Sequence, residues 1–309
     1  MRRFLKTLSV LIVMAAVSQL SALEIGGYAE LGNLDFPRDN GETAAVFPGG
    51  AHRVGIGLFA VQPLSERVVL EITYASDPIL RTVGSTLLSY ANHFFAIRVG
   101  PFFGILNDSD RIVRPGLSTT VRLFIPEVVT LSLRSDIPIG TRSAGSGDYT
   151  QERSELSVGF HVPNAVPTLF VRSSRYTSTA GAGEMAHVLT AYGVETDVFQ
   201  NGIPYRVVLG FAYQDVARIL IAETATTHRY GALVLGTKIT AELFDTIELV
   251  FDLESSVYTF GREALLGEST DRILFRLRTG VSYRQAPAPA VRRPDQPPGG
   301  LIRFGTGLR

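Results

Sequence analysis

A chain of 309 residues with 29 basic and 29 acidic side chains has no net charge to draw it to nucleic acid. The absence of cysteine excludes disulfides, thiolate metal sites and a lipid-modified N-terminal cysteine. Lysine occurs only at Lys6 and Lys238, so arginine carries nearly all the positive charge, a bias that suits fixed hydrogen-bonded networks and that genome composition also produces.

The chain opens with Arg2, Arg3 and Lys6, then an apolar run from Leu8 to Val17, then small and polar residues. That layout predicts a secretory signal over residues 1–22, cut after Ser18 or Ala22. The run is too short for a bilayer-spanning helix, which needs about 20 apolar residues.

From Leu23 onward the dominant rhythm is a side-chain period of two, the mark of strands with one apolar and one polar face. Leu23 to Phe36 reads as a Gly-rich first strand, followed by a polar loop from Pro37 to Gly50. Strands are expected at Arg53–Val61 and Val68–Tyr74, with a loop from Asp77 to Ser85. The region from Leu87 to Leu106 is expected to split into two strands at Gly100-Pro101, where proline would interrupt a ladder. Leu117–Ile125 and Val129–Leu133 flank a tight turn at Pro126-Glu127, and a long polar loop is expected from Ser135 to Glu152. Four further strands follow, the third and fourth joined through Asn201-Gly202, a hairpin signal, and a loop is expected over Asp215–His228.

The clearest alternation lies between Ala232 and Tyr283. Ile247, Leu249, Phe251 and Leu253 share one face, with Glu248, Asp252 and Glu254 opposite; Phe275, Leu277, Val281 and Tyr283 lie opposite Arg276 and Arg278. Paired antiparallel, these strands set Arg276 and Arg278 beside Asp252 and Glu254. Beyond Arg284, residues 285–309 are Pro-rich and are expected to form a disordered tail.

Short and long connections alternate along the chain, which predicts an all-β fold: a closed antiparallel up-and-down transmembrane β-barrel of about 14 strands (12–16) over residues 23–284. A barrel of that size encloses a wide lumen, so the polar face belongs inside and the apolar face belongs in lipid. Tyr205 and Tyr213 then face out eight residues apart, ~20 Å in height, close to the spacing of two aromatic girdles. Tyr74 joins the outer girdle, and Phe160 and Tyr283 the inner one.

These features resemble the Gram-negative outer-membrane β-barrel family: the signal at Arg2 to Ala22, the alternating strands, and a last strand ending apolar-x-aromatic at Val281-Ser282-Tyr283. The resemblance is architectural and porin-like. It implies residence in the outer membrane of a diderm bacterium, contact with outer-membrane lipid, and a barrel-assembly signal at Val281 and Tyr283 that the assembly machinery reads. The family usually stops at that aromatic, whereas here Arg284 to Arg309 follow.

The candidate functional residues are the charged positions of the inward face: Arg53, Glu71, Arg98, Arg122, Arg134, Arg172, Arg206, Lys238, Glu248, Asp252, Glu254, Arg276 and Arg278. Arginine dominates on the early strands and carboxylates on the later ones, which predicts a basic wall facing an acidic wall, with Glu30 closing against Arg276 or Arg278 at the seam. The alternative is that these charges pair along the wall and stiffen it. Both accord with a monomeric, passive channel for small polar solutes; a second reading is a non-conducting barrel that presents the loops Pro37–Gly50 and Ser135–Glu152 for adhesion or interaction.

No enzyme, cofactor or metal is expected. The histidines (His52, His93, His161, His187, His228) are scattered singly, and Ser157 and His161 on one strand face are too far apart for direct contact. The glycines of Ala144–Asp148 precede no helix and form no phosphate-binding loop.

Overall fold

The computed structural model describes residues 23–34, 54–65, 67–77, 81–105, 113–139, 148–179, 184–200, 202–221, 225–244, 246–260 and 274–285. The expected signal, the loop at Pro37–Gly50, Arg53 and the Pro-rich tail lie outside them.

Fourteen strands form: β1 (Glu24–Gly32), β2 (Val54–Pro63), β3 (Val68–Asp77), β4 (Arg81–Ala91), β5 (Phe95–Ile105), β6 (Val113–Ile125), β7 (Val129–Pro138), β8 (Asp148–Phe160), β9 (Ala165–Thr179), β10 (Glu184–Phe199), β11 (Tyr205–Ile221), β12 (Ala225–Leu243), β13 (Ile247–Phe260) and β14 (Phe275–Arg284). Each pairs antiparallel with its sequence neighbours, and β1 pairs with β14 from Glu24↔Arg284 to Gly32↔Arg276, so the sheet closes into a barrel. Closure removes every sheet edge, the condition for a sheet to sit in hydrocarbon.

All the short turns gather at one rim together with the start of β1 and the end of β14. They are built by local chemistry. Glu127, Asn164 and Phe244 adopt φ of 59°, 61° and 57°, and Gly202 adopts 81°, the left-handed backbone that tight turns require. At the β4–β5 turn Asn92 Oδ1 accepts from the N–H groups of Phe94 and Phe95, both at 2.8 Å, the side-chain mimic of a turn expected of Asn.

Four expected boundaries move. The described residues of the expected Asp215–His228 loop are strand: β11 and β12 pair without a break from Tyr205↔Ala241 to Ile221↔Ala225. Strands of 17 and 19 residues stand taller than the ~25 Å apolar band, and beyond it neither face need be apolar, so the period-two signal fades while backbone pairing continues. For the same reason β7 runs on to Pro138, β8 begins at Asp148, and β4 begins at Arg81 inside the expected 77–85 loop. Gly100-Pro101 does not divide two strands but lies within β5, and the turn sits at 92–94. Its cost appears in the ladder: β4 and β5 pair at Ser85↔Phe102 and at Leu88↔Val99, with no pairing between.

The barrel is inside-out relative to a water-soluble domain. Leu209, Phe211, Leu249, Phe251 and Leu253 point outward and are exposed, whereas Glu71, Arg98, Asp197 and Arg278 point inward and are at most 4% exposed. Tyr205, Phe160 and Tyr283 are exposed toward the short-turn rim; Tyr74 and Tyr213 are exposed toward the other. On that second rim Tyr213 stacks with Phe260 at 6.5 Å and Tyr258 with Phe260 at 4.6 Å. Two aromatic belts therefore flank an apolar band.

Candidate functional site: the charged interior

Register decides which interior charges meet. Glu30, Arg278, Asp252 and Lys238 are consecutive cross-strand partners on β1, β14, β13 and β12, a row of alternating sign. The next row toward the long-loop rim is Gly32, Arg276, Glu254 and Gly236. Like neighbours would repel at this spacing and opposite ones attract, so the rows hold the seam in register. Arg278 bonds Glu30 across the closure, and its guanidinium lies 4.7 Å from the Tyr28 ring. Arg276 bonds Glu254.

The same pattern continues round the wall. Arg284 bonds Glu24 at 3.2 Å, Arg98 bonds Glu71 at 3.2 Å, and Arg206 bonds Asp197. Arg134 bonds Asp136 at 2.5 Å, and Asp136 also accepts from the Ser118 hydroxyl at 2.5 Å. Arg172 is shared by Glu155 and Glu195, each at 3.1 Å, and sits 3.8 Å over the Phe170 ring. Glu248 and Asp252 are buried, and Arg122 and Lys238 half-buried, on the same inward face.

The pairing of charges along the wall, the alternative named above, is present. Arg98, Arg134 and Arg172 on the early strands each hold a carboxylate on their own or a nearby strand. The physical reason is that a desolvated guanidinium is costly without a partner, and adjacent strands supply one within reach. The interior field is therefore short-ranged and interleaved.

The interior is also fuller than strand number suggests. Fourteen strands ~4.8 Å apart and tilted ~40° give a round barrel roughly 28 Å across, backbone to backbone. Tyr28 on β1 and Arg153 on β8 lie seven strands apart, yet they line one cavity and are within electrostatic reach of each other. Arg153 in turn donates to the Tyr176 hydroxyl on β9 at 2.9 Å, where the Gln151 amide also lies at 3.0 Å. One cavity, ≈ 660 Å³, is walled by residues of β1 to β8; another, ≈ 900 Å³, by residues of β9 to β14 with Leu34; and a third shares Tyr28 and Phe59 with the first and Lys238 and Asp252 with the second.

Sequence reasoning missed Tyr28, Gln151, Arg153 and Tyr176 as interior groups that meet. Asp136 and Gln151 had fallen within an expected loop, although the alternation through Arg134, Asp136, then Gln151, Arg153, Glu155 carried the signal. His161 bonds the Thr130 hydroxyl at 2.8 Å. Among the described residues no group of His, Asp and Glu is arranged to hold a metal ion.

No family model and no curated protein matches the chain. Solved structures similar to it include an outer-membrane channel from Pseudomonas putida F1 (11% identity, 86% of this chain and 96% of that one, TM-score 0.45). Others are in-vitro folded OmpT, an outer membrane protein of Vibrio cholerae (9%, 85% and 98%, TM-score 0.43), and an anion-selective porin from Comamonas acidovorans (11%, 85% and 98%, TM-score 0.35). The chain's own geometry makes the case: a closed antiparallel barrel, apolar and aromatic-belted outside and charged inside, is the architecture of an outer-membrane β-barrel.

Proposed function

We propose that this barrel is a monomeric, passive, porin-like channel for small polar solutes, with Arg53, Glu71, Arg98, Arg122, Arg134, Arg172, Arg206, Lys238, Glu248, Asp252, Glu254, Arg276 and Arg278 lining the route. The observation that carries this reading is the interior itself: charged side chains from all round the barrel line its internal cavities. A closed barrel needs no such concentration of desolvated ion pairs to be stable, since apolar filling of the same volume serves as well. Interleaved charges favour passage of hydrated polar solutes with weak charge preference. Val281 and Tyr283, both exposed on the outer face of β14, are proposed to be read by the barrel-assembly machinery.

Tyr28 and Arg153, which line one cavity from opposite walls, favour a second reading, a non-conducting barrel whose work is done by its long loops. Conductance of the refolded protein in a planar bilayer separates the two: stable steps support the channel, and silence from inserted, folded barrels supports the second reading.

A further inference from the structure

We propose that the larger cavity is a binding site for a small amphipathic solute, one with an apolar body of about one ring and a head bearing both charge signs. The site is defined by a hollow in the wall. Other interior-facing glycines are closely covered, some by aromatic rings (a Cβ at Gly57 would meet Tyr28 at 2.2 Å, at Gly116 Phe102 at 2.1 Å, and at Gly193 Phe170 at 2.5 Å), others by backbone or hydroxyl oxygens (Thr86 at 2.0 Å from Gly100, Ser76 at 2.6 Å from Gly55, Thr168 at 3.0 Å from Gly159). Gly210 and Gly236 differ. They are register partners on β11 and β12, and a Cβ there would find its nearest atom at 3.8 Å and 3.4 Å, both from glutamate stems. Packing does not demand glycine at either position. Glycine within a strand weakens it, and its use here leaves bare backbone facing the cavity, as where a ligand approaches closely.

The surfaces around the hollow give the ligand its chemistry. Toward the long-loop rim lies an apolar roof inside the barrel: Leu34, Val216, Tyr230, Ala232, Val234 and Leu274, all buried, with Leu189 packed against them. The roof is fastened, since the N–H groups of Asn33 and Leu34 donate to the Phe275 carbonyl at 2.8 and 3.1 Å, and Phe275 N–H donates to Asn33 Oδ1 at 3.1 Å. Beside the glycines, with Glu195 the register partner of Gly210 and Glu254 that of Gly236, the cavity is lined by Arg172, Glu195, Lys238, Asp252, Glu254 and Arg276, three cations and three anions. An apolar body fits against the roof, and a zwitterionic head fits the bare backbone of the glycines among these balanced charges; a strongly charged head meets equal attraction and repulsion there.

The site does not depend on conduction, so a barrel that binds without conducting refutes the channel and keeps the site, and the converse refutes only the site. The test is calorimetric titration of the folded protein in lipid nanodiscs with L-phenylalanine, with glycine as the head alone. The expected result is saturable binding with Kd on the order of 1 mM, at least tenfold weaker for glycine and in Gly210→Leu and Gly236→Leu. No saturable heat with phenylalanine, equal binding of glycine, or unchanged affinity in a folded glycine variant overturns the proposal. Should both glycine variants fail to fold, Val234→Ser tests the roof: affinity is expected to fall at least fivefold, and unchanged affinity overturns the proposal.

Discussion

Tyr28 and Arg153 stand on strands seven apart in a ring of fourteen, and they line one cavity. Side chains from opposite walls therefore share one space and narrow any route through it. Trimming either one, by Tyr28→Ala or Arg153→Ala, is expected to widen that route. Single-channel conductance should rise about twofold or more, with the variants retaining the parent's circular dichroism. Unchanged conductance in a folded variant would place the constriction elsewhere.

The seam should depend on Arg278, which is 4% exposed and held by Glu30 across the β1–β14 closure. Arg278→Met leaves Glu30 and Asp252 facing a methyl group, and the loss is expected at about 2–3 kcal/mol, below the full cost of a broken buried pair because Glu30 is partly exposed. Urea unfolding of the single and double variants (with Glu30→Gln) should show coupling, the second substitution costing less in the presence of the first.

The β4–β5 ladder gives a steric prediction. A Cβ at Gly100 would lie 2.0 Å from the Thr86 carbonyl oxygen and 2.9 Å from the Leu87 Cα, both backbone atoms. Gly100→Ala is expected to destabilise the barrel by ~1–3 kcal/mol, while Gly236→Ala, at 3.4 Å from a flexible Glu254 stem, should cost well under half of that.

Much of the architecture was legible because it rests on a local signal. Ile247 to Leu253 and Tyr205 to Tyr213 show their lipid face directly in their period of two, and strand number, closure and the Arg278–Asp252 register followed from it. What was hidden has two physical causes. Where β11 and β12 rise past the apolar band, as at Asp215–His228, hydrophobic periodicity has nothing to report. Cross-barrel neighbours such as Tyr28 and Arg153 are set by the closure of the whole ring, which no local pattern encodes. The ion pairs were hidden for a related reason: counting charges along strands does not show that the buried Arg98 or the half-buried Arg172 takes the nearest carboxylate, whichever strand carries it.

The polarity of the outer face can be tested at Leu209, midway between Tyr205 and Tyr213 and exposed. Arginine there should cost ~2–4 kcal/mol in a bilayer, as expected for a cation on the lipid face near the midplane. An exterior bathed in water predicts essentially no cost, and folding titrations into lipid vesicles distinguish the two.

Charge reversal probes the interior. Arg122→Glu with Arg134→Glu adds negative charge beside Asp136 and should shift ion selectivity toward cations, by a factor of about two given the interleaved background. A reversal potential unmoved by both substitutions would remove these residues from the conducting path.

The central claim, a solute channel through an outer-membrane barrel, is tested most directly by single-channel recording of the refolded protein in a planar bilayer. Such a channel gives small, stable conductance steps with weak ion selectivity. Barrels shown to be folded and inserted that pass no current would contradict it.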